Sequence, residues 1–214
     1  MTLLREGASR AGLDLSKQTL ETLGCYAELL LKWNAVVNLT AAKTRSEILQ
    51  RHILDSLCIV PAFEKYLGGA ARVLDVGSGG GLPGVVLATV LPACTITLVD
   101  SVGKKCAFLR QAALELGLAN VRVVNARVES LPAMEVDAVT SRGFATLAET
   151  VRLTEPVVGR SCLWLSMKGK YPEEEIGELP EDCIVRESVR VEVPFLNEER
   201  HLVVLQFKTS EKPA

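Results

Sequence analysis

Between Ser16 and Trp33, apolar residues recur at Leu20, Leu23, Ala27, Leu30 and Leu31, the spacing that lays one hydrophobic stripe along a helix. Ser16 offers an N-cap oxygen at its start, and Glu21 falls in the early turns. The spacing returns at Ile48, Leu49, His52, Ile53 and Leu57, ahead of Pro61 and the Gly68-Gly69 pair, and predicts a second helix that ends there. Residues 1–67 therefore read as a helical cap. After Gly69 the pattern changes to short β-rich runs at Arg72–Val76, Thr95–Asp100, Val121–Val124, Ala138–Ser141 and Leu163–Met167, separated by helical segments. Such alternation predicts an α/β unit over residues 68–214, a mostly parallel sheet with helices on both faces. The last runs, Ser188–Pro194 and His201–Lys208, have only a short Asn197–Arg200 turn region between them, so an antiparallel hairpin should close the sheet. The tail Thr209–Ala214 is expected to fray.

Composition removes several classes of protein. With 48% hydrophobic and 23% charged residues among 214, the chain can bury a full core, and disorder is excluded. No apolar run approaches the ~18 residues that a bilayer span needs. Met1–Arg10 carries Arg5 and Glu6 inside its only apolar stretch and lacks the features of a secretory leader. A cytoplasmic protein with no membrane partner is expected. The six cysteines, Cys25, Cys58, Cys94, Cys106, Cys162 and Cys183, form no C-x-x-C pair, and the two histidines, His52 and His201, lie far apart. That is neither a zinc pattern nor a disulfide framework, so no metal site is expected. A net charge of −2 and a pI near 5.8 argue against grip on naked nucleic acid by bulk charge, since such domains usually have a pI above ~9. An RNA role would need a local basic face.

The strongest chemical signal is Asp75-Val76-Gly77-Ser78-Gly79-Gly80-Gly81-Leu82-Pro83-Gly84. A strand ends in a carboxylate, a glycine-rich turn follows, and Pro83 suits the first turn of a helix. Glycines are needed where backbone must approach a ligand with no Cβ in the way; the bland alternative is a tight turn without a ligand. A dinucleotide would bring a pyrophosphate to this loop, and Asp75 would repel it. S-Adenosylmethionine brings an ammonium and a sulfonium, which a carboxylate attracts. Asp100, ending the second strand, suits ribose hydroxyls in either cofactor. It indicates a nucleoside without choosing between the two.

In methyltransferases of this architecture the acceptor chemistry sits at the end of the fourth strand, here Thr140-Ser141-Arg142-Gly143-Phe144. No Asn-Pro-Pro-Tyr-like tetrapeptide and no cysteine occurs there, which disfavours methylation of an exocyclic amine or a pyrimidine carbon. An acceptor with its own lone pair, such as a ring nitrogen, remains. Arg142 would hold a phosphate, a base oxygen or the cofactor carboxylate, or else serve a structural ion pair. Phe144 would stack on a base, or else belong to the core. Lys168, ending the fifth strand, should face the same cleft as Arg142. Other basic residues follow strand ends, the rim where open α/β sheets bind ligands, although solvated surface charge is the usual reason for any one of them. The rival readings are a dinucleotide-dependent reductase, which Asp75 disfavours, and a catalytically silent RNA-binding or ribosome-assembly factor, which the intact glycine loop disfavours.

Taken together the motifs resemble one family over nearly the whole chain, the bacterial small-subunit ribosomal RNA methyltransferase G family, also called glucose-inhibited division protein B. The resemblance is carried by Asn38-Leu39-Thr40-Ala41, Arg51-His52-Ile53-Leu54-Asp55-Ser56, the glycine loop, Val99-Asp100-Ser101 with Gly103-Lys104-Lys105, Ala126-Arg127-Val128-Glu129, Ser141-Arg142 with Phe144, Met167-Lys168-Gly169 and Glu199-Arg200-His201-Leu202. It implies a Rossmann-like class I fold dependent on S-adenosylmethionine, and N7 methylation of one guanine in 16S rRNA of the small ribosomal subunit or its precursor. A monomer is expected. Carried over, Gly77, Leu82, Val128, Glu129 and Arg142 would contact the cofactor, beside Asp75, Ser78, Gly79 and Asp100 from the reading of the loop. Arg51, His52, Lys104, Lys105, Phe144, Lys168 and Arg200 are candidate RNA contacts. Arg142 and Lys168 would act in catalysis by position and charge, because guanine N7 has a lone pair and no proton to remove. The family usually has alanine where this chain has Gly143, a change that loosens the backbone beside Arg142.

Overall fold

Ser16 does cap a helix. In the computed structural model, which describes residues 2–208, its side-chain oxygen accepts from the Thr19 N–H at 3.1 Å, at the start of α2 (Lys17–Val37). The expectation for Thr209–Ala214 lies outside the described residues. Helix α2 runs on to Asn38, whose left-handed backbone (φ 53°) ends it, and buries Leu20, Leu23, Tyr26, Ala27, Leu30 and Asn34 along one stripe. Ahead of it lies α1 (Thr2–Arg10) with Leu4 and Ala8 buried, which the spacing did not predict.

The second predicted helix begins earlier than Ile48, at a capping box between Thr44 and Glu47. It consists of α3 (Arg45–Ile48), a π turn (Leu49–Leu54) and α4 (Asp55–Leu57), and α5 (Val60–Leu67) follows with Pro61 in its first turn. Wider π turns occur frequently at functional sites. Here the turn carries Arg51 and His52, with Asp55 next after it.

The sheet contains β1 (Arg72–Val76), β2 (Thr95–Asp100), β3 (Val121–Asn125), β4 (Ala138–Arg142), β5 (Leu163–Lys168), β6 (Cys183–Arg190) and β7 (His201–Phe207). Its order is β3-β2-β1-β4-β5-β7-β6. Strands β1 to β5 pair in parallel, and β7 runs antiparallel to both β5 and β6. The closing hairpin is therefore present, but its first strand is Cys183–Arg190, not Ser188–Pro194. Valines at 189, 191 and 193 continue the alternation into a segment where Pro194 has no N–H to give a ladder and Phe195 adopts a left-handed backbone. The connecting helices are α6 (Gly84–Val90), α7 (Gly103–Glu115), α8 (Leu147–Val158) and α9 (Glu173–Gly177).

Alternation along the strands sorts the core into two layers. Val73, Leu98, Leu165, Leu202 and Val204 face one cluster together with the cap's Leu20, Leu30 and Ile53. Leu74, Val99, Val139, Trp164 and Val203 face the other, with Leu147 and Val151 of α8. The cap thus shares its core with one face of the sheet. Strand order reverses between β1 and β4, and a crevice beyond the C-terminal ends of such strands is where open α/β sheets bind ligands.

Candidate active site

The turn after β1 is held by its own backbone and by two side chains. Ser78 donates its hydroxyl to the Asp75 carbonyl at 2.8 Å and accepts from the Val99 N–H at 3.1 Å, while its N–H donates to the Val99 carbonyl at 3.1 Å. Asp100 accepts from the Gly79 N–H on one oxygen at 2.9 Å and from the Val102 N–H on the other at 2.8 Å. The cap reaches this loop as well, because the buried Tyr26 hydroxyl donates to the Gly80 carbonyl. Gly77 has φ +65°, and a Cβ there would stand 2.5 Å from Phe144 Cδ2. Beside it opens a cavity of about 300 Å³, lined by Gly77, Asp100, Lys105, Val128, Glu129 and Phe144.

Several expected cofactor residues brace the loop itself. Asp75 is fully buried and lines neither this cavity nor its neighbour. One oxygen accepts from the Gly84 N–H at 3.0 Å, so it braces the start of α6; the other oxygen has no protein partner. Burial pushes its carboxyl up to about 7, against the pull of the Gly84 hydrogen bond and of Arg142. A role as a surface attractor for a cation does not fit this placement, and Asp75 no longer separates the two cofactors. Ser78 and Leu82 are buried braces of the loop, and Gly79 meets Asp100 through its N–H. Phe144, expected against an RNA base, covers Gly77 on the wall of the 300 Å³ cavity. Lys105 lines that cavity too, and Lys104 is exposed at the start of α7.

A second cavity of about 530 Å³ adjoins the first, and Gly143 lies on the wall of both. Its basic lining is Arg51, Arg142, Lys168 and Arg200, with His52 and Asp55. Structure thus brings together four of the cations that the sequence singled out, from four separate segments. Arg142 lines this cavity and not the first. Asp55, with 3% of its side chain exposed, accepts from Arg142 Nη1 at 3.0 Å on one oxygen and from Arg200 Nε at 2.9 Å on the other. Arg200 also reaches Glu198 at 2.8 Å, and Arg51 meets the same glutamate at 2.9 Å. Lys168 donates to the Ala145 carbonyl at 2.9 Å and to Glu175 at 2.7 Å. It therefore ties α9 to the loop after β4 while lining the cavity.

His52 is held as a neutral ring. Burial, then Arg142, pushes it down to about 4. Its Nε2 bonds Thr40 Oγ1, and its Nδ1 lies 2.8 Å from the Arg51 carbonyl and 3.2 Å from Arg142 Nη1. Thr40 is fixed in turn by Asn34, whose carbonyl oxygen accepts from the N–H groups of Leu39 and Thr40 at 2.8 Å and whose amide donates to the Ala42 carbonyl at 3.0 Å. Sequence reasoning missed Asp55, Asn34, Tyr26, Glu175 and Glu198. An acid four residues after Arg51 points only to a pair with Arg51, whereas Asp55 pairs with Arg142 and Arg200; the others gave no signal. Among the described residues no group of three or more His, Cys, Asp or Glu is placed to hold a metal, and no helix is long and apolar enough to cross a membrane.

A reversed strand order, a glycine turn after β1 and an acid ending β2, with antiparallel β7 inserted between β5 and β6, make up the Rossmann-like fold that solved methyltransferases share. A SAM-dependent methyltransferase from Aquifex aeolicus shares it at TM-score 0.58 and 20% identity, over 76% of this chain and 93% of that one. TrmN from Thermus thermophilus does so at 0.55 and 19%, over 75% and 53%. Residues 19–203 match the family model described as GidB, rRNA small subunit methyltransferase G. Proteins named ribosomal RNA small subunit methyltransferase G are 48% identical in Neisseria gonorrhoeae, over 94% of this chain and 96% of theirs, and 49% in Burkholderia pseudomallei, over 95% and 90%. The chain belongs to the rRNA small subunit methyltransferase G family.

Proposed function

We propose that this methyltransferase transfers a methyl group from S-adenosylmethionine to N7 of one guanine in 16S rRNA, on the small subunit or its precursor, as a cytoplasmic monomer. The observation that carries this reading is the pair of cavities meeting at Gly143, one nucleoside-like and one basic, in a chain of this family.

The residues fit the cofactor. A cavity of about 300 Å³ is at the lower end of small-molecule sites. Gly77 leaves a cradle that a Cβ would fill, and Asp100 is a carboxylate already anchored by two N–H groups, ready to accept from ribose hydroxyls. S-Adenosylmethionine, when bound, supplies an electrophilic methyl on a cationic sulfur. Asp100, Val128 and Glu129 would hold its nucleoside, with Phe144 against Gly77 closing the wall.

On the other side Arg51, Arg142, Lys168 and Arg200 would hold the RNA by phosphate or base oxygen. An arginine bidentate to guanine O6 and N7 would occupy the attacking lone pair, so these cations serve O6 or phosphate. Guanine N7 carries no proton, so the reaction needs no base: His52 is bonded through both ring nitrogens, Asp75 is sealed in the core, and Glu47 on the cavity wall caps α3 by accepting from the N–H groups of Lys43 and Thr44. Orientation then supplies most of the rate, up to ~7–11 kcal/mol for well-aligned reactants. A net charge of −2 leaves little general attraction to phosphate, which supports a structured subunit as substrate. The test is to incubate the protein with undermethylated small subunits and map the modified nucleotide. Methyl appearing on an exocyclic amine, or only on free RNA, would refute the reading.

A further inference from the structure

We propose that Asp55 is a positioning residue for methyl transfer: its carboxylate fixes Arg142 and Arg200 as one unit against the RNA acceptor. The inference rests on the rRNA-methyltransferase reading above and adds a part that the sequence motifs leave without a role.

The geometry is specific. Asp55 Oδ2 takes Arg142 from the end of β4, and Oδ1 takes Arg200 from the residue just before β7. These two elements are not neighbours, since β5 lies between them in the sheet. A single buried carboxylate therefore sets the separation of two guanidinium groups that would otherwise repel. Burying one acid between two cations is favourable only as a complete set, because removing the carboxylate leaves charge uncompensated.

The unit also leaves donors free. Arg142 spends only Nη1, on Asp55 and the Arg51 carbonyl, with His52 Nδ1 beside it at 3.2 Å. Its Nε and Nη2 have no hydrogen-bond partner among the described residues, on a side chain 22% exposed in the 530 Å³ cavity. A guanidinium anchored through one nitrogen presents its remaining N–H groups at a fixed angle, which suits an anionic or carbonyl oxygen of the RNA. Asp55 touches no substrate in this arrangement. It acts through Arg142 and Arg200.

That role separates binding from turnover. Asp55→Asn keeps the shape and removes a negative charge from a basic cavity. RNA attraction is then undiminished, while the arginines lose their common anchor and the acceptor is held less well. A misplacement near 1 Å can cost about 100-fold in rate. The experiment is steady-state and single-turnover methylation of undermethylated small subunits by wild type, Asp55→Asn, Arg142→Ala and the double variant, each first checked for folding by thermal melting. We expect Asp55→Asn to lower kcat about 10- to 100-fold with KM for the subunit unchanged or lower, and the double variant to be no slower than Arg142→Ala alone. A folded Asp55→Asn protein with kcat within twofold of wild type, or with only a raised KM, overturns the proposal. Should Asp55→Asn fail to fold, Arg142→Lys and Arg200→Lys decide it: sub-additive losses in kcat support the unit, and additive losses overturn it. Wild-type methylation of the subunit is read in the same experiment, so failure of the functional reading shows there, independently of Asp55.

Discussion

The two cavities that meet at Gly143 are built in opposite ways. On the cofactor side, main-chain N–H groups are what is held: Gly79, Val99 and Val102 donate to the Asp100 carboxylate and the Ser78 hydroxyl, which lock the glycine loop to the end of β2. On the RNA side, side chains are held, and they come from the π turn, the end of β4, the end of β5 and the residue before β7. The first kind of site depends on backbone conformation, the second on a balance of buried charges. They should therefore fail under different insults.

The largest effect should come from the backbone. Gly77→Ala forces an L-residue to φ +65° and sets a Cβ against Phe144. Left-handed backbone alone costs ~1–2 kcal/mol, and displacing the ring should bring the total to about 3 kcal/mol, over 100-fold in affinity for S-adenosylhomocysteine. Calorimetry on Gly77→Ala and on Gly77→Ala/Phe144→Ala separates the parts: the double variant should recover the ring's share only. Full recovery would show that strain plays no part.

Next come the buried titrating groups, one on each side. His52 titrates at about 4 in the fold against 6.5 in the unfolded chain. The unfolded state binds more protons in that window, so His52 makes stability fall as pH drops from 6.5 towards 4. Asp75 titrates at about 7 against 3.8. There the folded state binds more protons, and stability falls as pH rises from 3.8 towards 7. Each slope is worth on the order of 3–4 kcal/mol, and they oppose one another where they overlap. Denaturant melts across pH 4–7 should be nearly flat for wild type. They should decline with rising pH in His52→Gln and with falling pH in Asp75→Asn. Parallel curves for all three proteins would mean that neither group is buried as described.

Asp100→Ala should weaken S-adenosylhomocysteine by ~1–3 kcal/mol, because buried hydroxyls lose a charged acceptor. Unchanged affinity would remove Asp100 from the site. The smallest effect is an expected null. Because guanine N7 has no proton to remove, the single-turnover rate on saturating subunits should vary little between about pH 6.5 and 9. A bell-shaped profile abolished by His52→Gln would make that histidine an acid or base.

How much of this was legible follows the same division. The glycine turn, the acid of β2 and the parallel strands are short-range patterns, and the sequence carried them. Hairpin boundaries slipped because valine alternation continues past Arg190 into Val191 and Val193, although strand pairing ends at Arg190. Asp75 was misassigned because a strand-end carboxylate looks alike whether it faces a cavity or a helix start; only burial distinguishes the two. Asp55 and Glu175 become meaningful only when chain segments far apart in sequence are brought together. A side-chain network of this kind has no linear signature.

Helix α2 makes the two cavities commensurate. Tyr26 holds the glycine loop and Asn34 holds the loop before the π turn, and both lie on the buried stripe of one uninterrupted helix. At 1.5 Å per residue their separation is roughly 12 Å along the axis, a gauge length that side-chain rotation cannot alter. Inserting one residue between them would turn Asn34 by about 100° around the axis. Either the Gly80 carbonyl or the N–H groups of Leu39 and Thr40 would then lose its partner. In this chain the length of α2 between Tyr26 and Asn34 is a specification of the enzyme, with a tolerance finer than one amino acid.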